Sequence, residues 1–365
     1  MLREPDDGSA RRAVELAARE LGELPIDASS NDYLGLAGRN VSRATIGNPG
    51  AAASRLIHGT TNEHVRLEAE LAAWVGAESS LLFASAYAAN LGLISALGVR
   101  DSVVISDAAN HASLIDGARL SKAEVRVVGH LDLQGVRAAL NERRAARSCW
   151  VVTESYFSMD GDGPDLAALR ALCDEHDACL IVDEAHAVGV FGPHGAGRCA
   201  EAGARPDILV GALGKAVGTH GGFIAGSNQL RTFLWNKARS FVFSTAPSPR
   251  HAELTSAQLQ LVREADSARE SLAANASQLR GALLDAGLPI APNSFGPILS
   301  VILGDNDRVL AAATRLRAKG ILAQAIRPPT VPVGAARLRL TVKATFSQEQ
   351  LSRLSQAVVE ACRAS

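Results

Sequence analysis

What most constrains this chain is the alternation, from about residue 62 to 226, of short β-branched runs with amphipathic helical stretches. Apolar runs at 80–83, 102–106, 124–128, 150–153, 179–182 and 208–211 are bounded and short, as buried strands are. Stretches of helical period, such as 63–75, 131–142 and 166–176, lie between most of them. Neighbouring parallel strands need a crossover, usually a helix, so the pattern predicts an α/β fold with a mostly parallel central sheet covered by helices on both faces. Ligands of such sheets bind beyond the carboxyl ends of the strands, which places the expected chemistry just after the apolar runs.

A second region is expected from Pro247, where STAPSPRH introduces a long helical stretch to about Ala286, then a strand (298–303), a helix (307–319), a strand (337–340) and a last helix. The expected division is an N-terminal segment at 1–40, a large domain at 41–246 and a smaller C-terminal α/β domain at 247–365. With 37 Lys and Arg against 38 Asp and Glu, the chain has no electrostatic reason to seek nucleic acid or an anionic membrane. Cys149, Cys173, Cys179, Cys199 and Cys362 are odd in number and lack C-x-x-C spacing, so buried reduced thiols are expected, not a disulfide framework or a zinc ribbon. No apolar run approaches a membrane span of about 20 residues, and MLREPDDGSARR lacks the apolar stretch of a signal peptide, so a cytoplasmic location is expected.

The sharpest local signal is LIVDEAHAVGVFG, an apolar strand ending in Asp183, Glu184 and His186. A nucleotide hydrolase of the DEAH type would use such acids for magnesium and water, but needs a GxxxxGK[ST] phosphate loop upstream. The one Gly-Lys pair, Gly214-Lys215, lies downstream, with Leu209 where the first glycine belongs and Ala216 after the lysine. A pyridoxal-phosphate (PLP) site also wants a strand-end carboxylate, to keep the pyridine nitrogen protonated, and a lysine able to form a Schiff base. Lys215 stands one strand further on, in the Gly-flanked run LVGALGKAVGTHGG, where the backbone can approach a flat ring.

VDEAHAVGVFG together with GKAVGTHGG resembles the α-oxoamine synthases, fold-type I PLP enzymes that join an amino acid to an acyl thioester. SSNDYLGL, SRLIHGTTNEHVRLEAELA, SAYAANLG, NHASLIDG, TESYFSMDGD and IRPPTVPVGAARLRLT agree in order, so the resemblance spans about 26–345. It implies that Lys215 carries the cofactor and moves the substrate proton, that Asp183 holds the pyridinium, and that His111 stacks on the ring. It further implies that Ser158 and His186 lie near the ring hydroxyl, and that the amides of Ala86 and Tyr87 meet the phosphate, with Ser244 and Thr245 reaching it from the partner of a homodimer with shared active sites. Asn31, Thr330 and Arg339 would hold the amino acid, the last by a bidentate fork on its carboxylate. The RPPTVP run resembles the members that act in biotin synthesis, which implies L-alanine and a pimeloyl thioester, of CoA or acyl-carrier protein; a glycine C-acetyltransferase or another α-oxoamine synthase is the alternative. No metal is required. Arg11, Arg12 and Arg19 are unranked candidates for the carrier's phosphates. Ala212 departs from the family's usual Thr or Ser, which removes one expected phosphate hydrogen bond.

Overall fold

The computed structural model describes residues 26–38, 48–143 and 148–363. Its strands are β1 (Ile26–Asp27), β2 (Ser79–Phe83), β3 (Ser102–Asp107), β4 (Glu124–Val128), β5 (Ser148–Glu154), β6 (Cys179–Asp183), β7 (Ile208–Ala212), β8 (Gly222–Gly226), β9 (Ile298–Gly304), β10 (Ile321–Leu322), β11 (Gln324–Ile326) and β12 (Ala336–Thr341). The helices that matter for the site and its support are α1 (Asn62–Val75), α2 (Ala86–Leu97), α3 (Ala112–Leu120), α4 (Leu133–Asn141), α5 (Leu166–Glu175), α6 (Arg198–Glu201), α7 (Asn228–Lys237), α8 (Arg239–Val242), α9 (Pro249–Arg263), α10 (Asp266–Asp285), α11 (Asn306–Ala318) and α12 (Gln348–Arg363). Two compact units result, one over Asn31–Leu272 and one from the described residues up to Ser30 with those from Ala273 on.

In the first unit seven strands form one sheet in the order β2-β8-β7-β6-β5-β3-β4. The run from β4 to β7 is parallel, and β8 turns back antiparallel to both β7 and β2. β3, β5 and β6 split their side chains between two cores, as the twofold period of a strand requires. Val104, Val152 and Ile181 pack with Leu93, Ile94 and Leu114 of α2 and α3 on one face. Val103, Ile105, Val151, Leu180 and Val182 pack with Val136, Leu140, Leu169 and Leu172 of α4 and α5 on the other. Full burial of such side chains is worth about 1.5–3 kcal/mol each, which explains why these strands read as continuous apolar runs.

The six expected strands are all present. β8 was not among them, because GFIAG is short and glycine-bounded and pairs antiparallel. The long helix expected to run to Ala286 is two helices, α9 and α10. Arg269 folds back at the junction, its guanidinium donating to the carbonyls of Val262 and Arg263 that would otherwise continue the ladder. α9 packs against α1 and so belongs to the first unit.

In the second unit β9, β12 and β11 form an antiparallel sheet, and β1 pairs parallel with β10. Asp27 accepts from Ser29 and from Lys343, and these contacts outweigh its burial to hold its carboxyl below the ordinary range.

Candidate active site

The site is built on the carboxyl rim of the first unit's sheet. β6 ends in Asp183, 5% exposed, whose two oxygens are both engaged. Oδ1 accepts from the Ala185 amide at 2.7 Å, and Oδ2 from the Asn90 side-chain amide at 2.6 Å. Glu154 ends β5 directly opposite Asp183 and is also buried. It accepts the backbone N–H of His111 at 2.6 Å, which fixes where that histidine enters α3. Burial, and then the Asp183 charge, push the Glu154 carboxyl up to about 8, while Lys215 and the His111 amide pull the other way. Lys215 also lowers His111, so one ammonium acts electrostatically on both residues.

Lys215 lies in the loop joining β7 to β8. That loop is held by the Gly218 amide on the Lys215 carbonyl (2.9 Å), the Thr219 amide on the Leu213 carbonyl (2.9 Å) and the Leu213 amide on the Gly221 carbonyl (3.0 Å). Gly218 adopts φ +74, and a Cβ there would meet the Ala37 nitrogen at 2.8 Å, so glycine is required for the loop to lie against the 36–37 segment. His186 follows β6 and is buried; its Nδ1 is 2.7 Å from the Tyr33 hydroxyl, which also donates to Asn31 Oδ1 at 3.4 Å.

α2 begins beside this rim. Ser85 caps it by accepting from Ala88, and no acceptor among the described residues is found for the Ala86 and Tyr87 amides. Unpaired first-turn amides favour an anion. Gly222 backs onto this turn so closely that a Cβ would fall 2.3 Å from the Ala86 nitrogen. Ala212 is the cross-strand partner of Gly222, and such partners face the same side of a sheet, so the Ala212 methyl also faces the start of α2. The Tyr87 phenol is used elsewhere, donating to Asp116 at 2.6 Å.

Ser158 sits in a turn closed by the Phe157 amide on the Asp162 carbonyl (2.8 Å) and the Gly161 amide on the Phe157 carbonyl (3.0 Å). His130 ties that turn to the sheet, with Nδ1 2.9 Å from Asp107 and Nε2 3.1 Å from Asp162. Burial works against its charge, but the two carboxylates win and raise His130 to about 10.

Glu184, the other acid of the LIVDEAH run, is fully buried and accepts the Arg198 and Cys199 amides at the start of α6 (2.9 and 2.7 Å). A carboxylate spent on a helix start is not available to magnesium, which removes the nucleotide-hydrolase reading. Thr245 is exposed and bridges to Ser54. Arg339, buried on β12 with Nη1 3.3 Å from Thr341 Oγ1, and Thr330, exposed after the Pro328-Pro329 pair, belong to the second unit. Arg11, Arg12 and Arg19 lie outside the described residues. Asn90, Ser113, Glu154, Tyr33 and His130 were not singled out from the sequence; the one local signal was a lone Asn90 on the apolar helix AYAANLGLISAL.

The residues present suit PLP: an anion seat with two open amides, a carboxylate held as an acceptor for a protonated pyridine, and a lysine on a loop that acts electrostatically on Glu154 and His111 beside it. A family model described as aminotransferase class I and II matches residues 25–358. The 8-amino-7-oxononanoate synthase of Marinobacter nauticus is 43% identical over 91% of this chain and 86% of its own length. That of Anaeromyxobacter dehalogenans strain 2CP-1 is 44% identical over 90% and 84%. Among solved structures, a serine palmitoyltransferase from S. paucimobilis with bound PLP superposes with a TM-score of 0.87 at 28% identity, covering 93% of this chain and 87% of that one. With its sheet order, its rim of acids and lysine, and this degree of identity, the chain belongs to the class I and II aminotransferase family, among the 8-amino-7-oxononanoate synthases.

Proposed function

We propose that this chain condenses L-alanine with a pimeloyl thioester, releasing the thiol carrier and CO2, as a cytoplasmic homodimer with shared active sites. The observation that supports this most is the rim itself, where Asp183, held by Asn90 and Ala185, stands opposite Glu154 with Lys215 in electrostatic reach. PLP is the cofactor, and when bound it supplies an electron sink for a carbanion at the amino acid's Cα.

Lys215 would hold the cofactor, and its Nζ would serve as the base for the Cα proton of the amino acid. Asp183 keeps the pyridine nitrogen protonated, an arrangement its two donors favour by holding the carboxylate in place. His111, its backbone tethered to Glu154, would lie against the ring. The Ala86 and Tyr87 amides would hold the phosphate, with the partner's Thr245, and Ser158 and His186 would serve the ring hydroxyl. Asn31, Thr330 and Arg339 are assigned to the amino-acid substrate on the family resemblance. Among the described residues no helix is long and apolar enough to cross a membrane, and no group of three or more His, Cys, Asp or Glu side chains is placed to hold a metal ion.

Turnover of the purified PLP-loaded protein with L-alanine, glycine and L-serine, each against pimeloyl-CoA, pimeloyl-acyl-carrier protein and acetyl-CoA, tests this reading. Alanine with a pimeloyl donor is the expected best pair. A clear preference for glycine with acetyl-CoA would establish the C-acetyltransferase instead.

A further inference from the structure

Two buried side chains, Asn90 and Ser113, join Asp183 and His111 in one directed hydrogen-bond path. Asn90 and Ser113 are 0% and 1% exposed, on α2 and α3. The Asn90 amide nitrogen lies 2.6 Å from Asp183 Oδ2 and 2.9 Å from Ser113 Oγ. Ser113 Oγ lies 2.8 Å from His111 Nδ1, and the Ser113 backbone N–H donates to the same Nδ1 at 3.2 Å.

The directions follow from what each group can do. A backbone N–H only donates, so Nδ1 is an acceptor and the neutral imidazole carries its proton on Nε2. The Ser113 hydroxyl accepts from Asn90 and so has its own hydrogen to give to Nδ1. Asn90 has two amide hydrogens, one for Ser113 and one for Asp183. Turning the amide over would set its oxygen against the Asp183 carboxylate in a buried place, acceptor against acceptor, so the nitrogen must face Asp183.

We propose that Asn90, acting through Ser113, is a positioning residue that sets the polarity of this site. Its two hydrogens hold Asp183 as an acceptor and His111 as the Nε2-protonated neutral tautomer, so that the ring above the cofactor presents a donor nitrogen. The inference rests on the reading that His111 and Asp183 face the cofactor. Partial burial, with Lys215, outweighs Asp183 and Asp116 to hold His111 below its ordinary pKa, consistent with a neutral ring at pH 7. Glu154 accepts its backbone N–H.

The test is ring-nitrogen NMR of the full chain, with and without PLP, labelled with 15N-histidine and assigned by His111→Gln. Wild type is expected to show the Nε2-protonated tautomer. Asn90→Asp lets the Ser113 hydroxyl turn toward the new carboxylate, and Ser113→Ala removes the hydroxyl; in each the tautomer ratio should drop about 5-fold, the loss of one ordinary hydrogen bond. Ser113→Ala decides alone if Asn90→Asp does not fold. A wild-type ring protonated at Nδ1, or unchanged ratios in the variants that fold, overturns the proposal. Because the tautomer is read without substrate, it can fail while alanine turnover stands, and the reverse.

Discussion

Three neighbouring strands of one sheet end in buried carboxylates, Asp107 on β3, Glu154 on β5 and Asp183 on β6, and their fates differ. Asp107 is saturated: it takes His130 Nδ1, the Ala109 amide and the Leu131 amide, and shares His130 with Asp162. Two acids with a cation between them form a self-contained clamp whose product is a fixed turn. Glu154 and Asp183 face each other across adjacent strands, and their donors are amides, with Lys215 as the cation acting on Glu154 from the next loop. Like charges in a buried place raise a carboxyl's pKa, and burial with the Asp183 charge raises that of Glu154, against the pull of Lys215. The lesson is that a carboxylate at the same strand position is locked into scaffold where a neighbouring histidine is shared with a second acid, and stays on an open rim where it is not.

The largest expected effect breaks the chemical half of that contrast. Lys215→Ala should abolish turnover and the covalent attachment of PLP, read by borohydride reduction and peptide mapping of the wild type; label on Lys122 or Lys237 would move the site elsewhere. Next, Asp183→Asn should retain cofactor but slow Cα-proton exchange by orders of magnitude, since a neutral amide does not hold a pyridinium. Exchange at near wild-type rate would make Asp183 a scaffold acid like Asp107.

The pH dependence sharpens the contrast further. Glu154 has its folded pKa raised to about 8 from 4.5, so the native chain binds a proton more tightly than the unfolded one. Its contribution to the stability of the PLP-free protein is therefore whole below pH 4.5, falls as pH rises through about 8 and is gone above. Glu154→Gln should flatten that slope in urea midpoints taken across the range; an unchanged slope would assign it to other groups. His130 is also raised, to about 10 from 6.5, so its contribution is whole below 6.5 and gone once pH has passed about 10. His130→Gln should cost about 1–3 kcal/mol near pH 6, and the wild type's advantage should vanish above pH 10. Turnover is expected to change far less than in Asp183→Asn, which is what separates a clamp from a reacting group.

The smallest effect concerns the anion seat. Ala212→Thr adds a hydroxyl on the face shared with Gly222 and the start of α2, and should tighten PLP by roughly 2- to 13-fold for about 0.5–1.5 kcal/mol. Equilibrium dialysis checks it; unchanged affinity would mean that the phosphate is already satisfied by other donors.

Much of this molecule was legible in its residues, for reasons of range. A buried parallel strand must be a short apolar run, and α4 and α5 must show helical period because one face packs on those strands, so the sheet could be read locally. Asp183 and Lys215 could be found because each follows such a run within a few residues. The packing of α9 on α1, the split at Arg269 and the antiparallel β8 depend on partners far along the chain, and no local pattern announces them.

By itself, then, the sequence determined the strand-helix alternation, the rim at the strands' carboxyl ends, and the lysine and aspartate proposed there for the cofactor. These are properties of hydrophobic period and of residue type at strand ends. Only the tertiary structure decided that Glu184 would cap α6 while Asp183 faced the rim, that Glu154 would stand against Asp183, and that Asn90 would link Asp183 to His111 through Ser113. The physical reason is that a buried polar group must find its partner in space, and that partner is chosen by the register of strands and the packing of helices, neither of which is written in any one segment of the chain.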